Sequence, residues 1–181
     1  ASAVSGYKRT FGSDGPPGAY EDIETADVVL LIGANLADNH SILCQYLEAN
    51  RNKTLIVADP RVSKTAMMAD IHLPLKPRSD LALLNGIAHI LIRYNLIDRD
   101  YVDKHAAGFT ELERFLEAYT PERVAEITGL SQEAVFKTAL LYGRAKAGFI
   151  GWTMGVNHST LGTATVNAIC NLALLTGHIG R

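Results

Sequence analysis

Two uninterrupted apolar runs, "ADVVLLIG" at 26–33 and "KTLIVAD" at 53–59, restrict what this chain can fold into more than any other feature. A strand with one face in water alternates apolar and polar residues, whereas an unbroken run bounded by polar residues belongs to a strand covered on both faces. Between the runs, from about Asp38 to Asn50, Ile42, Leu43, Tyr46 and Leu47 recur at helical spacing. Strand, helix and strand in that order predict two parallel strands joined by a crossover helix.

The rest of the chain extends the pattern. "IHLPL" (71–75) predicts a third strand that Pro74 ends or confines to a sheet edge. "SDLALLNGIAHILIRYN" predicts a helix capped by Ser79, apolar on more than one face and therefore mostly buried. Three short helices follow: Thr110 and Glu113 form a capping box, Thr120 and Pro121 an N-cap and first position, Ser131 a third cap, and Gly129 closes one of them. "AGFIGWTMG" (147–155) predicts a last buried strand, and "STLGTATVNAICNLALLTG" a final helix that Gly177 ends. The expected fold class is α/β: an open, mostly parallel, Rossmann-like sheet with helices on both faces and a helical insertion at about 98–145. With 181 residues, 48% of them apolar, a single module can bury a core of this kind. The Gly/Pro-rich opening "ASAVSGYKRTFGSDGPPGAY" lacks an initiator Met, and "NLALLTGHIGR" stops just after a helix, so residues 1–181 read as one α/β module cut from a longer polypeptide.

Several function classes are disfavoured. A formal charge of -2 and a pI near 6.3 provide no field that would draw nucleic acid or an anionic membrane. The most apolar window, near Leu81 to Ile92, is broken by Asn85, Gly86 and His89, so no membrane span is expected. Cys44 and Cys170 are too few for a disulfide framework or an iron-sulfur cluster, and both fall beside apolar neighbours in helices. They read as inert core thiols in a reducing compartment, which makes the cytoplasm the expected location. The six histidines show no metal-ligand spacing, and neither a G-x-S-x-G elbow nor a nucleophile-base pair occurs. Any catalysis would be carried by a cofactor.

In an open parallel sheet, ligands lie outside the carboxyl ends of the strands, near the switch in strand order. The first strand runs into "IGANLADNH", where Gly33 permits a tight turn, Asn35 offers a donor and an acceptor, and the helix behind presents free N–H groups. Asn35 and Asp38 have an equally simple reading as caps. Neither G-x-G-x-x-G nor G-x-x-x-x-G-K-[ST] occurs. The second strand ends in Asp59, Pro60 and Arg61. Here a carboxylate can accept two hydrogen bonds, as from a ribose diol or a guanine edge, and a guanidinium can reach a phosphate; alternatively the two form an ion pair that ties the loop down. The third strand leads to Lys76, Arg78, Ser79 and Asp80, open to the plainer reading of a capped helix with solvated charges. The fourth leads to Met154, Gly155, Asn157 and His158. Together these loops form a rim suited to an extended anionic ligand such as a dinucleotide.

"VVLLIGANLADNH", "LIVADPRVSKTAMMADIHLPLKPRSDLALLNGIAHILI" and "GWTMGVNHSTLGTATVNAICNLALLTGHIGR" resemble, in order and spacing, the middle of molybdopterin oxidoreductases of the dimethyl sulfoxide reductase superfamily. The opening segment looks most like prokaryotic nitrate reductases of the assimilatory and periplasmic type; the later ones also resemble formate dehydrogenases. The resemblance implies a domain holding part of a bis(molybdopterin guanine dinucleotide) molybdenum cofactor. By motif position, Gly33, Asn35, Asp38 and Asn39 would contact the dinucleotide. Asp59, Pro60, Arg61 and Val62 would line its guanosine end, and Lys76, Arg78, Ser79 and Asp80 would complete that site. Met154 would lie near the molybdenum, and Gly155 and His158 would contact the cofactor, His158 standing where relatives often carry Gln. The family's 4Fe-4S cluster motif and its cysteine ligand to molybdenum would precede Ala1, and a further domain would follow Arg181. The isolated chain is therefore expected to be inactive. Its expected partners are the cofactor, the rest of the parent chain and an electron-donor protein or domain. The implied reaction is reduction of nitrate to nitrite by oxygen-atom removal. The alternatives are a formate dehydrogenase of the same superfamily and a non-catalytic nucleotide-binding or assembly module.

Overall fold

A computed structural model describes residues 22–33, 41–105, 107–152 and 162–177. Short helix α1 (Asp22–Thr25) precedes strand β1 (Val28–Ile32), helix α2 (Ser41–Ala49) and strand β2 (Thr54–Ala58). Next come α3 (Lys64–Met67), β3 (Ile71–Leu73) and the long helix α4 (Asp80–Arg93). Four helices follow: α5 (Arg99–His105), α6 (Phe109–Leu116), α7 (Pro121–Thr128) and α8 (Gln132–Arg144). Strand β4 (Gly148–Trp152) and helix α9 (Gly162–Thr176) complete the described chain.

The four strands form one sheet in the order β3-β2-β1-β4, all parallel. β1 is the inner strand between β2 and β4, and its burial explains its composition. Val28, Leu30 and Ile32 face one apolar layer, Val29 and Leu31 the other. Both faces are dry, so the alternation of a half-exposed strand has no reason to appear. The smaller layer is closed by Ile23, Leu47 and Ala66 from α1, α2 and α3. The larger is closed by α4, α8 and α9, among them Leu83, Leu84, Ile87, Tyr142, Ile169 and Leu172.

Helix α4 is apolar around most of its circumference because it sits between the sheet and a second tier of helices. Val124 of α7 is part of the same core, packed so closely that a Cβ on Gly86 would lie 2.7 Å from Val124 Cγ2. The caps at Thr120 and Ser131 form as expected: Thr120 Oγ1 accepts the Arg123 N–H at 3.3 Å, Ser131 Oγ accepts the Ala134 N–H at 3.1 Å, and Gly129 closes α7 with φ 77°. One expected cap is displaced, and another holds its position without the side-chain bond. α6 starts one residue earlier than Thr110, behind Gly108 at φ 78°, with Phe109 lying under the Arg99 guanidinium at 5.0 Å. Ser79 holds the N-cap position of α4 as expected, but its hydroxyl donates backward to the Lys76 carbonyl at 2.5 Å instead of capping the helix amides. The left-handed Arg78, φ 65°, turns the chain so that Ser79 faces the preceding turn instead of the helix amides. Helix α5 was not anticipated, although Asp98, whose carboxylate accepts the Tyr101 N–H at 3.0 Å, is an ordinary start signal.

Candidate functional site at the carboxyl edge of the sheet

Asp59 follows β2 directly and continues the ladder by one bond, its N–H donating to the Leu73 carbonyl at 3.2 Å. The side chain is 4% exposed. Its Oδ1 accepts the Arg61 backbone N–H at 2.9 Å, an Asx turn around Pro60. The ion pair considered from the sequence is thus replaced by a bond to the main chain. The carboxylate is taken inward, while Pro60, Arg61 and Val62 stay exposed. Among the described residues no donor meets Asp59 Oδ2. A buried carboxylate with a spare oxygen is costly unless a donor from outside satisfies it.

The rim after β3 divides into two parts. Lys76 turns away toward α7: its N–H donates to the Thr128 carbonyl at 2.8 Å, and its ammonium to the Glu126 carbonyl at 3.3 Å. That charge sits on the carbonyl end of a helix, where the macrodipole favours a cation. Arg78, Ser79 and Asp80 form the turn into α4. Arg78 is exposed. The Asp80 carboxyl is pushed above its ordinary value of 3.8, first by burial and further by the nearby negative charge of Asp59, against a lowering hydrogen bond from its own backbone N–H. Two carboxylates therefore share one end of the sheet. Gly33, φ 59°, is tied to the same end through its N–H to the Ala58 carbonyl at 2.8 Å.

Of the sequence-predicted residues, the fold brings together Gly33, Asp59 to Val62 and Arg78 to Asp80, and assigns the Lys76 side chain to helix α7. Asn35, Asp38 and Asn39 after β1, and Met154, Gly155 and His158 after β4, lie outside the described residues, as does the Cys44 side chain. The strand order reverses between β1 and β4. One contributor was missed. His72 Nε2 lies 2.9 Å from the Asp59 carbonyl oxygen, and a carbonyl can only accept, so the ring donates. A histidine one residue from the end of an apolar strand was the available signal.

Chemically, this edge offers two close carboxylates to neutral N–H or O–H donors and the exposed guanidiniums of Arg61 and Arg78 to an anion. Among the described residues no group of three or more His, Cys, Asp or Glu side chains could hold a metal ion, and no helix is long and apolar enough to cross a membrane. The features fit a ligand that is polar at one end and anionic further along.

The family model for molybdopterin oxidoreductase matches residues 7–181. A nitrate reductase of Synechocystis sp. is 45% identical over all of this chain and 26% of that protein's own length. An alpha subunit of an F420-dependent formate dehydrogenase from Methanococcus maripaludis is 36% identical over all of the chain and 27% of its own length. The solved structure of acetylene hydratase from Pelobacter acetylenicus superposes with a TM-score of 0.90 at 30% identity, over 98% of this chain and 24% of that one. The chain spans about a quarter of the length of the relatives it matches.

Proposed function

Because the chain belongs to the molybdopterin oxidoreductase family, we propose that it is the module holding the guanosine end of a bis(molybdopterin guanine dinucleotide) cofactor, in an enzyme that reduces nitrate to nitrite. The observation that carries this reading is the buried Asp59 carboxylate, one oxygen of which no donor among the described residues claims, beside Asp80. A guanine edge presents adjacent N–H donors that would satisfy both carboxylates, while Arg61 and Arg78 would face the phosphates. Gly33, Asn35, Asp38 and Asn39 would serve the dinucleotide along β1. Met154 would lie near the molybdenum, and Gly155 and His158 would contact the cofactor. When bound, the cofactor supplies the redox chemistry; this chain's residues anchor it, orient it and keep its guanosine out of water.

The proposed organisation is one α/β module, residues 1–181 with the helical tier at about 98–145 as an insertion, in a longer polypeptide that also holds a 4Fe-4S cluster and receives electrons from a donor protein or domain. The module alone would not turn over nitrate. A cytoplasmic location is proposed with it, on the two cysteines of the sequence, too few for a disulfide framework.

The direct test is titration of GDP against the chain and its Asp59→Ala variant, followed by thermal shift, with ADP as the control base. GDP should raise the melting temperature of the wild type only, with affinity lowered tenfold or more in the variant, roughly the effect of a charged hydrogen bond. An equal response in both removes Asp59 from the site. The likeness to formate dehydrogenase supports a second reading with the same cofactor and the opposite electron flow. Assays of the parent enzyme, nitrate with a reduced dye against formate with an oxidised one, separate the two. A parent inactive in both would favour the non-catalytic module.

A further inference from the structure

We infer that His72 is a positioning residue for the guanosine pocket: its ring takes the place of a missing strand bond and thereby fixes the main chain that aims Asp59. The inference rests on the proposed guanosine site and deepens it. It begins in the ladder between β2 and β3. Ala58 pairs with Leu73 in parallel register, and the Leu73 carbonyl accepts the Asp59 N–H at 3.2 Å. Continued by one step, a parallel ladder would give the Asp59 carbonyl the N–H of Leu75. That donor is not available. The chain reverses at Pro74, and the Leu75 N–H returns to the Leu73 carbonyl at 2.9 Å.

The Asp59 carbonyl is thus left without its strand partner at the point where the loop must leave the sheet in a defined direction. His72 supplies a replacement. It pairs with Val57, two residues before Asp59, so it stands on the same sheet face, one strand over. From there Nε2 reaches the Asp59 oxygen at 2.9 Å. Asp59 is then held at three atoms: N–H by Leu73, carbonyl oxygen by His72, and Oδ1 by the Arg61 N–H. Among the described residues the one atom left over is Oδ2, the atom proposed to meet the ligand. Without the ring, the peptide after Asp59 could rotate, and the Asx turn around Pro60 would lose its fixed base. His72 acts through Asp59 and needs no contact with the ligand.

Glutamine places its amide nitrogen close to where a histidine Nε2 lies, so His72→Gln retains the donor, whereas His72→Leu keeps the bulk and loses it. Three measurements on the 181-residue chain decide the matter. Nitrogen-15 NMR should show the His72 ring protonated at Nε2, and hydrogen exchange of the Arg61 N–H should accelerate about tenfold in His72→Leu and remain near wild type in His72→Gln. GDP affinity should follow the same order, down about tenfold in His72→Leu and within about twofold in His72→Gln. Equal losses in both variants, wild-type behaviour of His72→Leu, or a ring protonated at Nδ1 alone would overturn the inference. If His72→Leu does not fold, the ring signature together with His72→Gln still decides it. If the wild type fails to bind GDP while exchange at Arg61 follows the predicted order, the guanosine reading falls and the positioning of Asp59 stands.

Discussion

Asp80 and Asp59 repel each other at the edge of a buried layer, and this has a pH signature. The folded pKa of Asp80 is raised above its unfolded value near 3.8. Its contribution to stability is therefore fully present below that value and lost as pH rises through the folded pKa. Asp80→Asn should raise the urea midpoint of the chain at pH 7, with the gain vanishing in acid; a gain constant across pH would show that repulsion and burial of charge are not its cause. Arg78 carries strain of another kind, since a non-glycine residue at φ 65° pays for its left-handed backbone. Arg78→Gly should stabilise the chain by up to about 1 kcal/mol in urea titrations while weakening GDP binding, and Arg78→Ala should weaken binding without the stabilisation. At this scale the sequence was partly legible. Asp59 stood out because an acid, a ring and a guanidinium end an apolar run. His72 did not, because a ring bonded to a main-chain oxygen leaves no mark in residue spacing. Lys76 read as a rim charge because nothing local reveals that the end of α7 lies beside it.

Helix α4 shows how an element is defined by what surrounds it. Its apolar residues on several faces foretold burial, and the sheet together with α7, α8 and α9 packed around it account for it. Gly86 is a point of close approach to α7: a methyl group there meets Val124, itself fully buried. Gly86→Ala should cost about 1–3 kcal/mol in urea unfolding, as overpacking does, and Val124→Ala in the same chain should recover part of it. A loss that the second change leaves untouched would mean that the two helices are not in contact there. The caps were legible where side chain and backbone compete locally, at Thr120 and Ser131. At Thr110 the position was illegible because a left-handed Gly108 starts the helix earlier, and at Ser79 the position was legible but not the side-chain bond, which follows a left-handed Arg78.

For the whole molecule, the parallel α/β class was readable because strands buried on both faces carry unbroken apolar runs. The strand order was not, since such runs do not say which neighbour each strand will take, and β4 joins β1 instead of extending beyond β3. A ligand that binds only the folded chain should stabilise it by about 2.7 kcal/mol at a hundred times its dissociation constant, so the melting temperature should climb with the logarithm of GDP concentration and not with ADP. The late return of β4 also bears on the order of synthesis. β1, β2 and β3 leave the ribosome as near neighbours, whereas residues 74–147 must follow before the strand that covers the other side of β1 is made. Throughout that interval the nascent chain carries an open row of backbone donors and acceptors on its most apolar strand, a template for other chains. A polypeptide released after residue 147 should sediment as aggregate under conditions that keep the full chain dispersed, which would place the greatest demand for chaperone protection during translation of the helical tier.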